Sequence, residues 1–198
     1  MKEYTSTKEI VNIVKEVLEA DDFRYFLNEE HGIFEFVKKI KGKIQWIRYL
    51  ISVEEGKVSV YGLCPVAPDY KDEKMMAEMA EFVCRANYGL QNACFELDFR
   101  DGEIRCKSFI DCEGGLPPIQ SIKNSIYCIA SMYKHYAEGI IDVLFKGGSA
   151  KEAAEGCERY YEERIRSMFA QLESGTVDDE ALAEIGEYIE EEMKARSE

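Results

Sequence analysis

Seven cysteines and two histidines could serve as nucleophile, base or soft metal ligand: Cys64, Cys84, Cys94, Cys106, Cys112, Cys128 and Cys157, with His31 and His135. A thiol enzyme needs a thiolate beside a base. Cys64, in GLCPVAPD, is the best placed for this, at the end of an expected strand and ahead of a loop. The competing reading is a small apolar side chain under that loop, where free cysteines often lie. Cys94 and Cys106 fall in expected strands, and Cys106 shares a face with Leu97, which makes it core. No CxxC occurs and the histidines are far apart, so a zinc site is not expected. An odd number of cysteines and a cytosolic location argue against a disulfide framework.

The acidic residues give no better chemistry. Glu29, Glu30 and His31 could ligate a metal, but second-site ligands are missing and a polar turn explains them. General acid–base work needs two carboxylates in one cleft with different surroundings. Asp21-Asp22, Asp178-Asp179 and Glu190–Glu192 instead fall at expected helix ends and on solvated faces. DFRDGE (98–103) lacks the length and closing glutamate of an EF-hand loop. KGGSAKE (146–152) has the wrong spacing for a phosphate loop. No catalytic residue, metal or cofactor is expected. Trp46 alternates with Ile44 and Arg48, so the three are expected on one strand face. Trp46 there either packs under a helix or, with Arg48, anchors a protein partner.

These residues must be held by elements, and the apolar periodicity names them. A helix is expected over 6–20, with Ser6 and Glu9 as a capping box and Ile10, Val14, Val17 and Leu18 as its stripe. Residues 23–64 read as consecutive strands with turns at Asn28–Gly32, Lys41-Gly42 and Glu55-Gly56. A two-residue loop at Glu55-Gly56 would place Val53 opposite Val58, Ile51 opposite Val60, and Ser52 opposite Ser59. A helix follows over 70–88, capped by Asp69 and closed by Gly89, with Met75, Met79, Phe82, Val83 and Ala86 inward. In CFELDFRDGEIR, a type I′ turn at Asp101-Gly102 would pair Phe99 with Ile104, Leu97 with Cys106, Asp98 with Arg105 and Glu96 with Lys107. Pro118 suits the start of a long helix over 119–146, which Lys146-Gly147-Gly148 ends. Ser149 and Glu152 form a second capping box. The helix they open runs to about Leu172, with Cys157, Tyr160, Tyr161, Ile165, Met168 and Phe169 on its apolar side. A last acidic helix is expected over 178–195. Strands in blocks, not alternating with helices, argue for an α+β fold with helices packed on an antiparallel sheet.

Composition narrows the function. The chain has 198 residues, 46% of them hydrophobic, and a net charge of −14. That charge and the lack of a dense basic stripe disfavour nucleic acid and anionic membrane as partners. KKIKGK (38–43) reads as a solvated turn. The N-terminal MKEYTSTKEI lacks the apolar run of a signal peptide, and no apolar segment is long enough to span a membrane, so a cytoplasmic location is expected.

Three segments together resemble a known family: VSVYGLCPVAPD (58–69), MAEFVCRANYGLQNACFELDFRDGEIRCK (79–107) and the long helix after LPP. They resemble the YbjN-like bacterial proteins, associated with sensory-transduction regulation, whose fold is similar to that of type III secretion chaperones. The resemblance spans about residues 1–147. It implies a secretion-chaperone-like core over 1–148 in the order α-β-β-β-α-β-β-α, with 149–198 as a helical extension packed on the core or on a partner. It implies a homodimer that handles a protein client and has no catalytic residues. The dimer contact would use the 70–88 helix, where Met75, Met76 and Met79 offer adaptable apolar surface. Two alternatives stand beside this: a monomeric regulatory or scaffold domain whose C-terminal helices cover the client surface, and a thiol-dependent enzyme.

Overall fold

A computed structural model describes residues 7–88, 90 and 92–174. Ser6, Gly89 and the segment 178–195 lie outside the described residues. The elements follow the order α1 (Thr7–Ala20), β1 (Tyr25–Asn28), β2 (Ile33–Lys39), β3 (Trp46–Glu54), β4 (Lys57–Leu63), α2 (Glu73–Asn87), β5 (Cys94–Leu97), β6 (Ile104–Asp111), α3 (Ile119–Ile141) and α4 (Ala150–Ser174). The four strands expected over 23–64 are present, one more than the α-β-β-β-α-β-β-α order that the resemblance implies has between its first two helices. The strands form one antiparallel sheet in the order β1-β2-β3-β4-β6-β5. The fold is α+β. The chain divides into two units, Met1–Ala154 and Glu155–Glu198.

In the first unit the period-two alternation of the strands decides what is buried. Phe34 and Phe36 on β2, Ile47, Tyr49, Ile51 and Val53 on β3, Val58 and Val60 on β4, and Ile104 and Cys106 on β6 point to one face. α1 covers that face with Ile10, Val14, Val17 and Leu18, and α3 with Ile122, Ile126, Ile129 and Tyr133. α2 packs on β5 and α3, where Phe95 meets Tyr133 and Tyr136 edge-on and Phe82 meets Tyr136. Burying a large apolar side chain fully is worth about 1.5–3 kcal/mol, and the largest fully buried side chains of the unit include Tyr49, Tyr133, Phe34, Ile47 and Ile51 of this inner layer.

Two buried tyrosines fix how α3 lies on the sheet. The Tyr49 hydroxyl donates to the Ile126 carbonyl at 2.7 Å, and the Tyr133 hydroxyl donates to the Gly62 carbonyl at 2.9 Å. At Gly62 α3 lies close against the sheet: a Cβ there would overlap the Ile129 side chain and crowd Ile47. Ser108 and Ser125, both buried, satisfy each other at 2.9 Å.

The β3–β4 hairpin has the register expected from Glu55-Gly56, with Val53 opposite Val58, Ile51 opposite Val60 and Ser52 opposite Ser59. The β5–β6 hairpin does not have the expected register. Leu97 faces Ile104, Phe95 faces Cys106, Glu96 faces Arg105 and Cys94 faces Lys107. The loop is therefore the longer 98–103. Asp98 accepts from the Arg100 backbone N–H at 2.9 Å and Asp101 from the Glu103 N–H at 3.0 Å, while Gly102 N–H donates to the Asp98 carbonyl at 2.8 Å. These side-chain turns satisfy backbone N–H groups within the loop. Asp98 pairs with Arg100, not with Arg105. The two-residue offset keeps the strand side chains on their expected faces, so Cys106 stays in the core, but Phe99 leaves the ladder for the loop and is exposed, not opposite Ile104 as expected.

Helix ends show a similar correction. Asp72, not Asp69, caps α2, accepting from the Lys74 and Met75 N–H groups. Asp69 instead makes a local turn to the Lys71 N–H. The helix expected over 119–146 ends its α-helical part at Ile141 and closes with a π-helical turn, Asp142–Lys146, which Gly147 terminates at φ 67°. Ser149 and Glu152 form the second expected cap: the Ser149 Oγ accepts from the Glu152 N–H at 3.3 Å and donates to the Glu152 carboxylate at 2.8 Å. Farther along α4, in the second unit, Cys157 and Met168 are buried and Tyr161 and Ile165 half-buried, but Tyr160 and Phe169 are exposed, so the expected apolar side is narrower.

Candidate functional site

The surroundings of four thiols disfavour the thiolate that a nucleophile needs. Burial pushes the Cys64 thiol up to about 11, and burial raises those of Cys106 and Cys112 as well. Cys94 lies exposed on β5, and its thiol is raised by partial burial and by the Glu96 carboxylate. His135 is half-buried on α3 and stacks on Tyr136, with ring centroids 4.3 Å apart. Burial holds its imidazole down to about 4. His31 lies exposed in the β1–β2 turn, its N–H donating to Asn28 Oδ1 at 3.3 Å. Among the described residues, no group of three or more His, Cys, Asp and Glu side chains could hold a metal ion.

Asp21 sits among cations at the edge of the inner face. Burial opposes its ionisation, but hydrogen bonds from Lys123 Nζ at 2.5 Å and the Tyr127 hydroxyl at 3.0 Å hold its carboxyl below the ordinary value. This contact ties the end of α1 to α3.

The outer face of the sheet is different. α1, α2 and α3 all lie on the inner face, and the alternate residues of β1–β6 point the other way. Among them Phe26 is 68% exposed, Val37 57%, Trp46 44% and Phe109 56%, against 0% for Ile47 between Trp46 and Arg48. Isolated exposed apolar residues are ordinary; several on one sheet face, with half-buried Leu50, Tyr61 and Leu63 among them, form a patch.

Trp46 and Arg48 stand together on this face, so the strand alternation placed both correctly. Ile44 does not join them: it lies in the β2–β3 loop, before β3 begins, and is buried. Trp46 is directly opposite Lys39, and Arg48 is directly opposite Val37. Beyond Trp46 a groove of about 660 Å³ opens, lined by Val37, Lys39, Ile40, Lys41, Gly42, Gln45 and Trp46. At the other side of the face, Arg105 lies over the Tyr61 ring at 4.8 Å and pairs with Glu96 at 2.6 Å, with Lys107 also 3.7 Å from Glu96.

The three α2 methionines are placed differently from the expected contact patch. Met76 and Met79 are buried against the sheet and α3 side of the helix, and only Met75 is half-exposed. The spacing of Met76 and Met79 puts them on the same stripe as Phe82 and Val83, which the core claims.

Sequence reasoning missed Asn87. Its side chain mimics a strand: Nδ2 donates to the Phe95 carbonyl at 2.8 Å and Oδ1 accepts from the Phe95 N–H at 2.7 Å. β5 is an edge strand, so this amide occupies part of an otherwise open edge. The signal was the asparagine in the last turn of α2, just before the chain turns towards β5.

No family model matches the chain, and no curated protein matches it. Among solved structures, a chain in the crystal structure of the ExsC–ExsE complex is similar to 66% of this chain and 94% of its own length, at 9% identity and a TM-score of 0.40. A likeness of that size says nothing of what this chain binds. No helix among the described residues is long and apolar enough to cross a membrane.

Proposed function

We propose that the chain is a non-enzymatic protein-binding module, chaperone-like or regulatory, of the YbjN-like kind, which works as a homodimer in the cytoplasm. The observation that carries the binding role is the outer sheet face, on which Trp46 and Arg48 stand exposed beside Val37 while α1–α3 cover the opposite face. An exposed tryptophan beside an arginine is the composition of an interface anchor, since both side chains bury much area and keep a polar handle. The raised thiols of Cys64 and Cys106 argue for the same reading and against a thiol enzyme.

Placing a photo-crosslinking amino acid at Trp46, and separately at Lys74 on the exposed side of α2, tests the docking surface in cells. Adducts with protein are expected from position 46 and not from position 74. Equal yields from both positions, or none from 46, would reject the sheet face as the docking surface. Light scattering tests the dimer separately: a clean monomer of 22.8 kDa at micromolar concentration would count against it.

A further inference from the structure

The cations of the outer face fall into two kinds. Arg105 and Lys107 share Glu96, and Lys57 pairs with Glu54 at 3.0 Å. Lys39 and Arg48 have no ion pair or side-chain hydrogen bond among the described residues. Both are exposed, and they flank the exposed apolar pair Val37 and Trp46 in a two-by-two tile: Lys39 opposite Trp46, Val37 opposite Arg48. The acidic residue at a neighbouring position of this face, Glu35, is opposite Leu50 and makes no ion pair with Arg48 among the described residues. In a chain of net charge −14, this tile sets two cations without carboxylate partners among the described residues beside the single tryptophan.

Resting on the reading of this face as a protein-docking surface, we propose that the Val37–Lys39–Trp46–Arg48 tile receives an acidic-apolar segment of a partner protein, one that sets carboxylates next to large apolar side chains. The apolar side chains would lie on Val37 and Trp46 and extend towards Ile40 in the groove. The carboxylates would meet Lys39 and Arg48, and Arg48 can hold one in a bidentate pair. Diagonal positions across two strands are about 7–8 Å apart, close to the spacing of alternate residues in an extended segment. A nucleic acid fits less well, because two or three cations cannot offset the field of an acidic chain along a polyanion.

Trp46 is the single tryptophan of the chain, so its fluorescence reports on the tile alone. The full chain is titrated with three synthetic peptides, EFEGFE, its cationic counterpart KFKGFK and the neutral SFSGFS, and with a thymidine oligonucleotide. EFEGFE is expected to give a saturable change in Trp46 emission, weakened about tenfold by Lys39→Glu with Arg48→Glu and weakened by added salt. Lys57→Glu, on the same face but already paired, should leave it unchanged. Equal binding of KFKGFK or SFSGFS, an unchanged response in the double variant, or a response to the oligonucleotide alone would overturn the acidic-apolar assignment. If position 46 still crosslinks protein in cells when EFEGFE fails, only this assignment falls; if both fail, the docking face itself falls. Circular dichroism of the double variant, expected to match the parent because both side chains are exposed, separates lost binding from lost folding.

Discussion

Tyr49 and Tyr133 each place a hydroxyl in a buried setting and spend it on a backbone carbonyl, Ile126 for one and Gly62 for the other. Tyr49→Phe keeps the ring stacked on Phe36 but removes the donor. It is expected to lower unfolding stability by about 1 kcal/mol, measured by urea denaturation. Thiol chemistry at this scale is also decided by burial. In the folded chain at neutral pH, Cys64, Cys106 and Cys112 are expected to label slowly with a thiol reagent, and the exposed Cys84 first, as read by mass spectrometry of digested protein. Fast labelling of Cys64 would revive the nucleophile reading. Asp98 shows what a sequence leaves open at one residue. Its place near a turn was legible, but the two-residue turn expected at Asp101-Gly102 is the longer 98–103 loop, where the Arg100 side chain and N–H compete with Arg105 for Asp98 and win because they lie within the same loop. Hydrogen bonds from Arg100 hold the Asp98 carboxyl down at about 2.

Among the elements, the edge of β5 and the α3–sheet contact carry the clearest tests. Asn87→Ala removes both hydrogen bonds to Phe95 and exposes that edge. A loss of about 1–3 kcal/mol is expected, together with faster amide exchange at Phe95 than at Val60 in the sheet centre. A larger tendency to associate through the bared edge should accompany it. Gly62→Ala is expected to cost about 1–3 kcal/mol, because the new methyl meets Ile129 and Ile47 on a face that is already packed. Wild-type stability in that variant would mean that α3 can shift outward. The helices α1–α3 and the β3–β4 register were legible because their period, 3.6 or 2, repeats long enough to fix a face. The β5–β6 register was not, because both registers put Leu97, Ile104 and Cys106 on the inner face and differ at Phe99, which the loop leaves exposed. Gly62 and Asn87 were hidden because their roles depend on chain segments far away or beyond a turn.

The whole chain's stability should depend on pH through His135. Burial lowers its folded pKa to about 4 from an ordinary 6.5, so between these values the unfolded chain binds more protons than the folded one. Stability is therefore full above about pH 6.5 and falls as the pH drops through that window towards 4, by up to about 3 kcal/mol. His135→Gln should flatten this slope in pH-resolved urea denaturation, and an unchanged slope would assign it to other groups. For function, the sequence by itself determined the α+β class, the strand and helix blocks, the acidic charge and the shared strand face of Trp46 and Arg48, since each follows from local period and composition. Only the tertiary structure decided which sheet face the helices cover, that Met76 and not Met75 joins Met79 in the core, and that Lys39 and Arg48 lack carboxylate partners among the described residues. Those facts depend on which segments meet across the fold, and a face that looks apolar in sequence becomes a docking surface only when no helix is spent on covering it.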